Sequence, residues 1–145
     1  MRRNHVLYVC LLLAALMLVG CTATKGSVKV RQGNALSKTV ELSTLQTQPV
    51  KGVSQDANGD KVEIDTVGVL VSDVLTAGDI DPSWIGDVSV ETRDKQTAEV
   101  TDSELNMADK AYLTPEDDGT WSLVILGESD GCVLKDVVFL HAQNI

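Results

Sequence analysis

The sequence predicts an α+β domain built on a mostly antiparallel sheet or barrel, and three observations carry that expectation. Short runs alternate apolar and polar residues or are rich in β-branched residues, as strands do. Helical stretches with capping signals are brief and fall irregularly between these runs. Strict βαβ alternation, the mark of a parallel sheet, is missing.

In chain order, Ser27-Val28-Lys29-Val30-Arg31 and Thr39-Val40-Glu41-Leu42 alternate as half-buried strands around a turn near Gly33-Asn34. Ser43 to Gln46 reads as a single helical turn ending before Pro49. Val50 to Ser54 and Lys61 to Val67 flank a hairpin whose tip is Asn58-Gly59, a pair that tolerates positive φ. Gly68 to Val71 leads into Ser72, the expected N-cap of a helix with Asp73 in its first turn, Val74, Leu75 and Ala77 on its apolar side and Gly78 as its stop. Asp81 to Ile85 reads as a turn and Asp87 to Thr92 as a strand. Thr101-Asp102-Ser103-Glu104 has capping-box spacing and opens a short helix through Leu105 and Met107. Trp121 to Gly127 and Val133 to Leu140 are the expected closing strands.

The 145 residues suffice for one domain and its core. Aromatic content of 3% and a net charge of −9 argue against nucleic-acid binding, which needs basic patches and stacking rings. Residues 1–20 have the three-part build of an export signal: Arg2 and Arg3, an apolar run from Val6 to Val19, and Gly20 before Cys21. At fourteen residues the run is short of the roughly 20 that a membrane span needs. Losing Arg2 and Arg3 leaves 10 basic residues against 21 acidic, a net of −11. Such acidity reads as a solvated surface repelled by anionic lipid, with recruitment of cations or a basic partner as its alternative. With Cys10 in the signal, Cys132 is the one cysteine of the expected fold, too few for an internal disulfide.

Tests for chemistry yield little. Asp56, Asn58 and Asp60 open like an EF-hand loop, but Lys61 and Val67 stand where its Gly and Glu belong, so the segment reads as an acidic hairpin turn. Glu116-Asp117-Asp118 and Glu128-Ser129-Asp130 read as acidic loops. His141 is the one histidine after the signal, and a Cys132/His141 pair has no local signature.

Leu18-Val19-Gly20-Cys21 resembles the lipobox of bacterial lipoproteins. The resemblance implies cleavage before Cys21, acylation of its thiol, a tether over residues 21–27, and one domain over 28–145 held at the extracytoplasmic face of the cell membrane. From Val28 to Leu140 the segment order resembles the molybdopterin-binding oxidoreductase, or sulfite-oxidase-like, domain. The likeness rests on Val40-Glu41-Leu42-Ser43-Thr44-Leu45 with Pro49, on Gly68 to Gly78, on Val88 to Asp94, on Thr101 to Leu105, and on Trp121 to Gly127 followed by Asp130-Gly131 and Lys135-Asp136-Val137.

That family holds molybdenum through a cysteine thiolate between its early turn and its "GV-L-DLL" helix, whereas Val50 to Val67 has none and Ser54 lies near the place. The family's "DGY" turn is Asp94-Lys95-Gln96 here, and few cations are available for pterin phosphates. The expectation is therefore a cofactorless relative, binding no metal, that serves as a lipid-anchored binding or assembly domain for an exported or membrane protein partner. Its alternative is an accessory oxidoreductase subunit that keeps a cofactor or small-molecule pocket, which would show a visible absorbance band. Ser54, Arg93, Asp94 and Cys132 are the expected pocket residues, since they fall in segments corresponding to the family's cofactor surface.

Overall fold

A computed structural model describes residues 26–145. The expected signal, the acylation site at Cys21 and all but the last two residues of the expected tether lie outside the described residues.

Period-two alternation places apolar side chains on one face of most strands, and ten strands form over the described residues. Sheet 1 consists of β1 (Ser27–Gln32), β2 (Lys38–Glu41), β5 (Ile85–Thr92), β6 (Thr97–Val100) and β10 (Val137–Asn144), ordered β2-β1-β10-β5-β6. Sheet 2 consists of β3 (Gln48–Gln55), β4 (Lys61–Leu70), β7 (Ala111–Pro115), β8 (Trp121–Ile125) and β9 (Cys132–Leu134), in chain order. Two short helices join them, α1 (Val71–Ala77) and α2 (Asp102–Asn106). All ladders are antiparallel except β1 with β10, which places Lys29 opposite Phe139 and Arg31 opposite His141.

The domain is thus mostly β, with two antiparallel-rich sheets and few helices, and the barrel alternative is corrected. Sheet 2 curls until its edge strand β3 approaches β9, yet isolated contacts from β3 to the end of β8 and to the β8–β9 connection stand in place of a ladder. Gly127 N donates to Val53 O at 2.7 Å and Ser54 Oγ to Ile125 O at 2.6 Å. With only three residues, β9 is too short to extend this seam into a closed sheet.

Val28, Val30, Val88, Val90, Leu140 and Ala142 of sheet 1 share one core with Leu113, Leu123 and Ile125 of sheet 2. Val71, Val74 and Leu75 of α1 and Leu105 of α2 join the same cluster. Burying each large aliphatic side chain contributes roughly 1.5–3 kcal/mol. On the other face of sheet 2, Val50, Tyr112 and Val124 form a smaller cluster with Ile64, Leu126 and Val133 against it. Strand β8 is consequently buried on both faces, which explains the apolar run Leu123-Val124-Ile125 in its sequence.

Several boundaries differ from expectation. Leu70, not Ser72, is the N-cap of α1, and no side chain caps it; Ser72 already lies inside the helix. The helix packs its end so tightly on β1 that a Cβ on Gly78 would lie 2.2 Å from Val30 Cγ2. At the β3–β4 turn only Gly59 takes positive φ, and the Asp56 carboxylate accepts from the backbone N–H groups of Asn58 and Asp60. The run from Val133 to Leu140 is two strands, because Asp136 adopts φ 63° between them. Strands β6 and β7 were not expected. The capping box at Thr101 is present as read, with Glu104 N donating to Thr101 Oγ1 and Thr101 N to Glu104 Oε1.

Candidate functional site

The face of sheet 1 turned away from the core carries an unusual concentration of charge. Alternation in β1 that buries Val28 and Val30 turns Lys29 and Arg31 outward, and alternation in β10 does the same for Phe139 and His141. Register then sets Lys29, Phe139 and Glu91 in one cross-strand row and Arg31, His141 and Ser89 in the next. Two adjoining hollows of about 380 and 350 Å³ lie over these rows and share Glu91, Lys95 and Phe139. Lys29, Thr39 and Arg93 border the first, and Arg31, Ser89 and His141 the second.

The chain's one phenylalanine is therefore partly exposed at the centre of this groove. The Arg31 guanidinium lies over its ring at 5.6 Å, a cation–π contact, and the His141 ring meets it edge-on at 6.3 Å. Nε2 of His141 is 3.0 Å from the Gly33 carbonyl and 3.5 Å from Arg31 Nη2. One nitrogen cannot donate to the carbonyl and accept from the guanidinium together, so Arg31 is held loosely. Its Nε is buried and has no hydrogen-bond partner among the described residues. An unsatisfied buried donor costs about 1–3 kcal/mol, more when charged.

Nine Lys and Arg residues occupy 26–145 against 21 Asp and Glu, yet four of the nine border the groove and Glu91 is the one acid among its lining. Lys95 Nζ pairs with Glu91 Oε1 at 3.0 Å, and Arg93 Nε with Asp136 Oδ2 at 3.1 Å. Lys29 has no ion-pair partner among the described residues. The arrangement can hold an anion beside an apolar surface.

The four residues expected from sequence do not form one pocket. Arg93 borders the groove, and its backbone N–H also donates to Asp136 O, tying the β5–β6 turn to the β9–β10 connection. Asp94, beside it, accepts a hydrogen bond from Thr92 Oγ1 and serves the turn. Ser54 and Cys132 belong to sheet 2. Ser54 is fully buried, and its hydroxyl donates to Ile125 O, which places it in the packing between β3 and β8. Cys132 is half-buried; burial, then the Glu104 carboxylate, push its thiol pKa up. His141 lies on the outer face of sheet 1, so the Cys132/His141 pair is not assembled.

Among the described residues, no three His, Cys, Asp or Glu side chains come together to hold a metal, and no helix is long and apolar enough to cross a membrane. Lys29, Arg31, Phe139 and His141 were missed as a group. No local signal marks them: Phe139 stands between Val138 and Leu140 in an apolar run, and only the β1–β10 register brings it to Lys29 and Arg31. Compared with known proteins, the chain matches no protein-family model and no curated protein.

Proposed function

We propose that this chain is a lipid-anchored, extracytoplasmic binding or assembly domain that meets its partner with the outer face of sheet 1. Cys21 carries the acyl chains, and the acidic domain stays in water at the cell membrane. The cationic groove around Phe139, set in a domain of opposite net charge, is the observation that carries the reading. Local charge of the minority sign is what electrostatic recognition requires, whereas a solvated surface needs none.

The finer assignment, a cofactorless sulfite-oxidase-like scaffold, belongs to the same proposal. It is supported by the order of segments from Val28 to Leu140 and by the absence of cysteine from Val50 to Val67. Metabolic labelling with a palmitate analogue in a bacterial host tests the anchor. Label is expected in the wild-type chain and absent from Cys21→Ser, which should leave the membrane fraction. Membrane retention of an unlabelled Cys21→Ser chain would overturn it.

A further inference from the structure

We infer that the groove on sheet 1 is a site for an oxyanion carried on an apolar body, of the kind an aryl or alkyl phosphate presents; this rests on reading that face as the binding surface. Three features of the groove select such a ligand. Among the described residues Lys29 has no acid paired with it, and Arg31 is held by a ring face and one long contact while its Nε has no acceptor. An oxyanion supplies a charge-assisted acceptor to the Lys29 ammonium and a counter-charge to the Arg31 guanidinium, whose buried Nε would meet an acceptor only on turning toward the groove. Phe139 stands opposite Lys29 and beneath the Arg31 guanidinium, offering the exposed part of its surface to the apolar part of the same molecule. The hollows, at about 380 and 350 Å³, match the size of small-molecule sites.

Other charges sharpen the choice. Glu91, facing the groove from β5, is already bound to Lys95, which weakens its repulsion of an incoming anion. Arg93 at the rim is paired with Asp136, so the site's cations without an acidic partner among the described residues are the two on β1. A cation would meet these two and the His141 edge, and a neutral apolar molecule would leave Arg31 as unsatisfied as before.

The test is a titration of the full acylated chain in neutral detergent micelles, following the His141 ring and the Arg31 side chain by NMR. Phenyl phosphate should shift both saturably, and neutral benzyl alcohol should not. Lys29→Gln and Arg31→Gln should each weaken binding by about tenfold, the loss expected of one charge-assisted contact. Phe139→Leu should weaken phenyl phosphate more than inorganic phosphate. Vesicles of phosphatidylcholine with and without phosphatidylglycerol separate the sources: a response to soluble phosphate ester identifies a dissolved ligand, and a response confined to phosphatidylglycerol vesicles identifies a lipid headgroup.

Equal response to phenyl phosphate and benzyl alcohol would overturn the inference, as would silence up to about 10 mM ester with silent vesicles. Silence with Cys21 labelled removes the ligand and leaves the anchor. Saturable binding with Cys21 unlabelled removes the anchor and leaves the groove.

Discussion

A thiol in an apolar strand beside a carboxylate is disfavoured twice as an anion, because water is withdrawn and like charge is near. Cys132 is in that position, with burial the larger cause and Glu104 the second. Its folded pKa lies above its unfolded one, so the stability it contributes is complete below the unfolded thiol value of about 8.5 and is lost as pH rises through the folded value. Iodoacetamide should therefore modify Cys132 more slowly in the folded chain than in the denatured one at pH 8, read on the proteolytic peptide that carries it. Glu104→Gln keeps the capping box and should move the folded rate profile to lower pH. A folded rate equal to the denatured rate would show that the strand does not protect the sulfur. The sequence could show that Cys132 was a lone thiol; it could not show Glu104 opposite, since that neighbour comes from another element.

Elements were legible where their causes are local. The capping box at Thr101 involves residues three apart, and the hairpin tip at Gly59 needs only its own backbone freedom, so both appear in the sequence. Asp136 breaks the final apolar run through contacts with Arg93, 43 residues away, and local pattern carries no trace of that pairing. Strand β7 was missed because it is buried on both faces and follows a helix without alternation. The end of α1 combines the two situations. Gly78 was expected as a stop, but its φ of −88° is open to any residue, and the reason for glycine is the approach to Val30. Gly78→Ala should destabilise the domain by about 1–3 kcal/mol through overpacking. Adding Val30→Ala should recover part of that loss, a coupling visible in a denaturant double-mutant cycle. Strictly additive effects would mean that the helix end shifts freely from β1.

Across the whole molecule, long-range pairing decides what local reading cannot. The groove draws on residues near 30, 90 and 140, and only the parallel ladder of β1 with β10, flanked by β5, brings them together. The same limit applies to sheet 2, whose curl rests on a seam of single contacts. Gly131 fits there because a Cβ would lie 2.3 Å from Gly127 O and 2.8 Å from Ser54 Cα. The seam holds β3 over the smaller cluster of Val50, Tyr112 and Val124, while sheet 1 pairs its strands by ladders over the larger core. Fewer apolar contacts and no ladder along one edge lower the free energy of local opening. Native-state hydrogen exchange should therefore show the Gly127 amide and the β3–β4 ladder exchanging through an opening below global unfolding, with β5 and β10 amides exchanging only globally. Ser54→Ala should lower that opening free energy by about 1 kcal/mol, since it removes the hydroxyl that holds Ile125 O. It should leave β5 and β10 amides dependent on global unfolding as before. Equal protection across both sheets would mean that the seam is as cooperative as a ladder, and that sheet 2 behaves as closed although its hydrogen bonds do not close it.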